Sequence, residues 1–194
     1  MDSRYQQEPL GDGRIRFTVT AAKVPSASGA PFVIAAIFVL IVLGSMGPRE
    51  GAIGLIVRLA IAGFGAVRIH RWINQWFAGN INKLRSPGGQ FVVSPDAIEV
   101  QGSTISKQDL HRLIVRNGVP EVNATIMVHH DGSMQGAMAS GAHNDRMANR
   151  AKAATVSYML CAESGGRSIV LGGGMTDVTA NGLMTDVSRV LRLA

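Results

Sequence analysis

The sequence contains little cysteine and little charge. Its single cysteine, Cys161, cannot form an internal disulfide or supply a thiolate cage for zinc, which excludes both kinds of staple used by small secreted domains. Charged residues make up 16% of the 194 residues, against about 25% in typical soluble domains. Hydrophobic residues make up 46%, which excludes disorder and is compatible with an apolar environment for part of the chain. A chain of this length also disfavours an enzyme with separate cofactor and substrate lobes.

The excess positive charge is confined to the first part of the chain. The net charge is +6, but residues 86–194 carry nine lysines and arginines against nine aspartates and glutamates. The excess therefore lies within residues 1–85. Because a nucleic-acid-binding domain carries a basic stripe on its own folded surface, we predict no nucleic-acid partner.

Two long apolar segments lie in this first part. Residues 30–47 contain no ionisable side chain, and as a helix they would extend about 27 Å, close to the roughly 30 Å of bilayer hydrocarbon. A second apolar segment, residues 51–67, follows after only three residues. Helices joined by so short a loop run antiparallel. The sequence therefore predicts a transmembrane helical hairpin over residues 30–77, with both polar ends on one side of the membrane.

The flanks of the hairpin predict its orientation. Basic residues flank both outer ends, whereas the connecting loop carries Arg49 next to Glu50. Because lysine and arginine favour the cytoplasmic side of a membrane, we expect both termini to be cytoplasmic. The flanking basic residues are Arg14, Arg16, Lys23, Arg68, Arg71, Lys83 and Arg85.

The end of the second helix combines basic and indole side chains that suit a membrane surface. Each lysine or arginine there can add roughly 1 kcal/mol of attraction to anionic headgroups. Trp72 and Trp76 share one helical face, where indole rings favour the headgroup level. The alternative role of the basic residues is only to set the orientation of the hairpin. The predicted interface residues are Arg68, Arg71, Trp72, Trp76, Lys83 and Arg85.

Two features inside the hairpin each have two interpretations. Arg58 lies about 10 Å along the second helix from the loop, so its guanidinium can snorkel to the outer interface. The alternative is a functional charge within the membrane. The small residues Ala62, Gly63, Gly65 and Ala66 allow close helix contact, either within the hairpin or between two copies of the chain.

Beyond residue 87 the pattern changes to short alternating segments separated by turn residues, which is typical of β-strands. A C-terminal helix follows, with Thr176 as its N-cap and an apolar stripe along it. Residues 14–24 also alternate and predict an edge strand. Residues 131–152 lack alternation and predict a long loop with a short helical piece at 145–151. The fold class is therefore α+β. The other predicted strands are 91–94, 97–101, 103–106, 111–116, 124–130, 154–162 and 167–171.

One stretch of the β-rich part carries a family resemblance. Residues 91–118 read FVVSPDAIEVQGSTISKQDLHRLIVRNG. With the preceding hairpin, the late strand pair and the C-terminal helix, this stretch resembles the bacterial pleckstrin-homology-like (PH-like) membrane proteins over about residues 31–193. The resemblance implies a non-catalytic binding or scaffolding module at the inner face of the membrane. The implied organisation is a cytoplasmic segment (1–29), the hairpin (30–77), a linker (78–89) and a cytoplasmic PH-like domain (90–194).

No pattern in the sequence predicts a catalytic, cofactor or metal site. His129 and His130 point to opposite faces if they lie on a strand, so they cannot join Asp131 and His143 around one metal ion. Cys161 lies in an apolar segment without a nearby base, which favours a packing role. Gly172, Gly173 and Gly174 precede a helix, but the parts of a phosphate-binding motif are missing, so a turn is expected.

Together these patterns predict a membrane-anchored, non-catalytic interaction or assembly subunit in the bacterial inner membrane. Its expected partners are the lipid bilayer, other membrane or cytoplasmic proteins, and a second copy of the chain. A secretion, conjugation or envelope complex would fit this topology. Two alternatives stay open: a PH-like domain that senses lipids, and a membrane hydrolase that uses Cys161 or the histidine pair.

Overall fold

The computed structural model describes residues 2–24, 30–45, 52–119 and 134–193, and it shows an α+β chain with antiparallel sheets. Four helices and eight strands are present in these residues. In chain order they are β1 (Arg4–Gly11), β2 (Arg14–Thr20), α1 (Ala30–Gly44), α2 (Ala52–Arg85), β3 (Gly89–Val93), β4 (Ala97–Val100), β5 (Ser103–Ser106), β6 (Leu110–Asn117), α3 (Met134–Ala154), β7 (Tyr158–Ser164), β8 (Arg167–Met175) and α4 (Asp177–Val190). The predicted fold class is thereby confirmed.

The chain forms two compact units. A β-rich unit combines three parts of the chain, Met1–Val24, Asn80–Val122 and Arg150–Ala194. A helical unit contains Pro25–Gly79 and Asn123–Asn149. The β-rich unit thus includes residues 1–24, although the sequence pattern predicts a separate N-terminal segment over residues 1–29.

The β-rich unit contains two antiparallel sheets. One has five strands in the order β1-β2-β3-β4-β5, and the other has three in the order β6-β7-β8. Strand β2 lies between β1 and β3, so the prediction of an edge strand at residues 14–24 is wrong. The reason is that β1 adds a further strand outside it. The β1 sequence RYQQEPLG lacks the alternation that predicts a strand.

The core of this unit is filled by its own side chains. Phe17 of β2 stacks on Phe91 of β3, with ring centroids 5.4 Å apart, and their register places both on the inner face. Helix α4 packs its apolar stripe against the same cluster, as its periodicity predicts. The fully buried helix residues are Ala180, Leu183 and Val187.

Hydrogen bonds hold both ends of α4. At the N-terminus, the Thr176 hydroxyl accepts a bond from the Thr179 backbone N–H, which confirms the predicted N-cap. At the other end, Lys107 Nζ donates to the carbonyl of Leu191 at 2.7 Å. A cation at this end also meets the negative pole of the helix dipole.

A polar cluster joins β1 to the middle of α4. The Tyr5 hydroxyl and the Gln7 side-chain amide both donate to Asp186 Oδ2 at 2.6 Å. Arg189 Nη1 donates to the other carboxylate oxygen at 2.8 Å. Burial and the bond to the Asp186 carboxylate raise the pKa of Tyr5 to about 12.

The prediction of a long loop at residues 131–152 is wrong for residues 134–152, and residues 131–133 lie outside the described part of the chain. Helix α3 runs from Met134 to Ala154 and includes the short helical piece expected at 145–151. Its 21 residues include seven alanines and three methionines, which favour helix through backbone propensity even without an apolar stripe. The helix also shortens the strand predicted at 154–162, because β7 begins only at Tyr158. The predicted strand at 124–130 lies outside the described residues.

The raised pKa of Tyr5 predicts a pH dependence of stability. In the unfolded chain the Tyr5 phenol ionises near its ordinary pKa of about 10. In the folded chain its pKa is raised to about 12, so the phenol keeps its proton to a higher pH. The contribution of Tyr5 to stability is therefore fully present below pH 10 and is lost as the pH rises towards 12. Thermal unfolding of the detergent-solubilised full chain across this range measures the loss.

The variant Tyr5→Phe is the matched control, because it retains the ring and removes the ionisable group. The difference in melting temperature between wild type and this variant should shrink as the pH rises from 10 to 12. A difference that is constant over this range would contradict the assignment.

Candidate membrane interface

Helices α1 and α2 contact each other within the helical unit. The Phe38 ring of α1 lies so close to Gly65 of α2 that a Cβ atom at Gly65 would overlap the ring. Ala62, one turn earlier on α2, is buried. A side chain at Gly63, by contrast, would meet open space. Of the two interpretations of the small residues, contact between the two helices therefore accounts for Gly65.

Most of the apolar surface of these helices is exposed. The segment Ile53–Arg85 of α2 is long and apolar enough to cross a membrane, and only 6% of its apolar window is buried. Helix α1 has 15 residues, or about 22 Å, and its described apolar stretch Ile34–Gly44 is shorter than a full span. The exposed large apolar residues of the two helices are Ile34, Ile37, Leu40, Ile41, Ile53, Leu55, Ile56, Val57, Leu59, Ile61, Phe64, Val67, Trp72 and Trp76.

Arg58 of α2 contacts the C-terminal end of α1. Its Nη1 donates to the Ser45 hydroxyl at 2.6 Å and to the Val42 carbonyl at 3.4 Å. The Ser45 hydroxyl in turn donates to the same carbonyl at 2.8 Å. Since the carbonyls at the end of a helix form its negative pole, the guanidinium stabilises this end of α1. Sequence patterns did not indicate Ser45 as a partner of Arg58, because a contact between two helices depends on their packing.

Five of the six predicted interface residues on α2, all except Arg85, are exposed. Arg68 lies over the Phe64 ring, 5.5 Å from its centroid, a distance suited to a cation–π contact. Trp72 and Trp76 are 66% and 63% exposed, and with Arg68 they recur at intervals of four residues on one helical face. Arg71 is also exposed, and so is Lys83, in the part of α2 that belongs to the β-rich unit.

Arg85 is the exception, and its assignment to the membrane interface is wrong. Its side chain is only 2% exposed. The guanidinium donates to the carbonyls of Ala22 and Val156, and its Nε has no hydrogen-bond partner among the described residues. Burial lowers the pKa of Arg85. This arginine therefore joins the chain before α1 and the chain after α3 to the end of α2, inside the β-rich unit.

The three glycines at 172–174 lie within β8, so the prediction of a turn there is also wrong. The backbones of Gly88 and Gly173 exchange two hydrogen bonds, of 2.8 and 2.9 Å. A Cβ atom at Gly173 would overlap the carbonyl oxygens of Arg85 and Ser86. Glycine is required here because two backbone segments cross at close range.

The other residues considered for chemistry do not form a reactive site in the described part of the chain. Cys161 is buried in β7, and burial raises the pKa of its thiol, which disfavours the reactive thiolate. His129, His130 and Asp131 lie outside the described residues, and His143 lies on α3. Among described residues, no three histidine, cysteine, aspartate or glutamate side chains are grouped to hold a metal ion.

Comparison of the chain with models of protein families, with curated proteins and with solved structures gives no match. The resemblance to the PH-like membrane proteins therefore stays a prediction.

Substitutions of Lys83 and Arg85, near the end of α2, test whether Arg85 is a structural residue of the β-rich unit. Arg85→Ala should lower the free energy of unfolding by about 2 kcal/mol, because two buried carbonyls lose their donor. Lys83→Ala, two residues away and exposed, should change it by less than about 0.5 kcal/mol. Thermal unfolding of the full chain in detergent measures both. Equal effects of the two substitutions would contradict the structural role of Arg85.

Proposed function

We propose that this protein is a membrane-anchored, non-catalytic interaction or assembly subunit. In this proposal α1 and α2 form a transmembrane hairpin in the bacterial inner membrane, and the β-rich unit is a cytoplasmic PH-like domain. The observation that carries the proposal is the apolar surface of α1 and α2, which remains exposed along both helices. An apolar patch of this extent marks a membrane or protein contact.

The exposure of α2 favours a membrane over an ordinary protein core. A core helix of a soluble protein is buried on its apolar face, whereas the apolar window of α2 is almost wholly exposed. Lipid supplies the missing apolar surroundings. The exposed Arg68, Trp72 and Trp76 that follow are the residue types that collect at a bilayer surface.

The connectivity of the β-rich unit supports an antiparallel hairpin. Helices α1 and α2 lie in sequence between β2 and β3, and these strands are hydrogen-bonded neighbours. The chain that leaves the sheet after β2 must therefore return to the same sheet. A hairpin with both ends on one side of the membrane meets this requirement, and the basic flanks favour the cytoplasmic side.

The arrangement of the β-rich unit supports the PH-like part of the proposal. Two antiparallel sheets are followed by a C-terminal helix whose apolar stripe packs on their shared core. The strands after the hairpin and the C-terminal helix follow the order that the resemblance implies, whereas β1 and β2, which precede the hairpin, are an addition to it. The membrane hairpin would then be an insertion between two paired strands of the domain.

Two observations weigh against the alternatives. A lipid-sensing domain that binds its ligand within the sheets needs an open interior, but Phe17, Phe91, Leu160 and Leu171 are each at most 2% exposed and fill it. A hydrolase using Cys161 needs an accessible thiolate, but this thiol is buried. The interaction subunit requires neither an interior cavity nor a reactive side chain.

A single lysine substitution distinguishes lipid from water around α2. Leu59 is 51% exposed, so in water Leu59→Lys should change stability by no more than about 0.5 kcal/mol. Near the middle of a transmembrane helix, a lysine makes insertion less favourable by about 3 kcal/mol. We expect the fraction of the chain that resists alkaline carbonate extraction from membranes to fall.

The matched control is Val178→Lys, because Val178 is 82% exposed on α4 of the β-rich unit. This variant should partition as wild type does. The membrane assignment of α2 would be contradicted if Leu59→Lys also left the membrane fraction unchanged.

Co-purification tests the interaction role. The tagged full chain is extracted in mild detergent, and the proteins and lipids that accompany it are identified by mass spectrometry. An assembly subunit should carry a second protein, or a second copy of itself, in stoichiometric amount. A monomer that retains only a lipid bound to the β-rich unit would contradict the interaction role in favour of lipid sensing.

A further inference from the structure

The outer edge of β1 has no further strand beside it in the described part of the chain. Strand β1 lies at one end of the five-stranded sheet, where it pairs with β2. The unpaired edge of a sheet presents backbone N–H and C=O groups that can pair with a strand of another molecule. This edge is therefore a candidate surface for strand addition.

The side chains of β1 alternate between the two faces of the sheet. Tyr5 and Gln7 both donate to a carboxylate of α4, so they point to the face on which this helix packs. Arg4, Gln6 and Glu8 therefore lie on the opposite face, and all three are exposed. Charges of opposite sign thus lie symmetrically on either side of Gln6.

Both charges are accessible to a group from outside the chain. Arg4 has no ion pair or side-chain hydrogen bond with another described residue. Glu8 accepts a bond from Arg16 Nη1 through Oε2 at 3.0 Å, and its side chain is 63% exposed. Its second oxygen, Oε1, makes no such bond within the described part of the chain. Because an ionised carboxylate accepts bonds on both oxygens, Glu8 can contact a second cation.

We propose that the β1 strands of two copies of the chain pair antiparallel about a two-fold axis at Gln6. In this register Arg4 of each copy faces Glu8 of the other, so two ion pairs form across the axis. Pro9, which has no N–H to donate, follows directly after Glu8 and ends the paired stretch. The two five-stranded sheets then form one continuous sheet.

Charge complementarity identifies a second copy as the occupant of this edge. An unrelated strand would have to carry an acid and a base at the same spacing, whereas a second copy of β1 supplies both. Two other strands, β5 and β6, also lie at sheet edges in the described residues, but β5 has only four residues. Pairing of two β6 strands about Ile114 would place Arg112 opposite Arg116, and such like-charge pairs are destabilising.

The inference rests on the proposed membrane function, because it names the partner of the membrane-anchored subunit. Paired β1 strands form a small contact, and contacts of this size are weak between molecules free in solution. A hairpin that holds both copies in one membrane raises their effective concentration. Dimerisation is therefore expected in the membrane.

Disulfide cross-linking at the axis tests the proposal. In the proposed pair Gln6 lies opposite itself, where Cα atoms are about 4.5–5.5 Å apart, a distance that a disulfide spans. Membranes containing the full chain with Gln6→Cys are oxidised with copper–phenanthroline. Non-reducing electrophoresis and mass spectrometry then identify the products, and we expect a homodimer as the main one.

Thr18→Cys is the matched control for this experiment. Thr18 is exposed and lies opposite Gln6 on β2, so it shares the face of the sheet but is one strand further from the axis. This variant should give roughly tenfold less homodimer, because its two thiols are too far apart for a disulfide. Wild type should give none, since Cys161 is buried.

Charge reversal tests the register. Added to Gln6→Cys, either Arg4→Glu or Glu8→Arg places like charges opposite each other at both pairs. Each should lower cross-linking about tenfold. A mixture of the two variants restores both ion pairs, because one chain then carries two acids and the other two arginines. Cross-linking between the two variants should return, and such recovery excludes misfolding as the cause of the loss.

Four results would overturn the proposal. These are no more homodimer from Gln6→Cys than from Thr18→Cys, cross-linking of Gln6→Cys to a different protein, normal cross-linking of either charge-reversed variant alone, and no recovery in the mixture. Carbonate extraction of the same membranes separates this proposal from the proposed function. A wild-type chain that carbonate releases contradicts the membrane function itself, whereas a chain that stays in the membrane without cross-linking overturns only the dimer.

Discussion

The exposed apolar surface of α1 and α2 is the constraint on which the rest of the structure depends. Burial of apolar surface contributes about 25 cal/mol per Å², and side chains along both helices remain outside any core. The β-rich unit, in contrast, buries its own apolar residues around Phe17, Phe91 and Leu183. The β-rich unit therefore has an apolar core of its own, whereas α1 and α2 leave most of their described large apolar side chains exposed. In our proposal the bilayer covers these exposed side chains.

The end of α2 shows how a long apolar helix can be built into a β-rich unit. The helix terminates in Arg85, whose buried guanidinium donates to backbone carbonyls from two other parts of the chain. Directly beyond it, the paired backbones of Gly88 and Gly173 connect the end of the helix to β8. Close packing of backbone at Gly173 leaves no space for a side chain. Hydrogen bonds from the Arg85 side chain to backbone carbonyls, and between the backbones of Gly88 and Gly173, thus hold the end of α2 in place. Apolar side chains alone would not supply such bonds.

Local patterns predicted the elements whose signals are local. Alternation and turn residues predicted β3 to β6 closely, and the hydroxyl of Thr176 marked the start of α4. The errors fall where distant parts of the chain decide the outcome. Strand β2 became an inner strand because β1, which has no alternation, pairs with it. Arg85 looked like a lipid contact because its burial depends on chain segments 63 and 71 residues away. Helix α3 was missed because its backbone propensity is strong but its apolar periodicity is weak.

Thiol labelling of the β-rich unit tests the central claim most directly. Cys161 is buried, so the native chain should react little, and Ser103→Cys adds an exposed thiol at the start of β5. A membrane-impermeant maleimide is applied to spheroplasts before and after lysis. A membrane-anchored chain with a cytoplasmic β-rich unit predicts labelling of the introduced thiol only after lysis, on protein that sediments with the membrane. Labelling in intact spheroplasts, or recovery of the chain in the soluble fraction without detergent, would contradict the account.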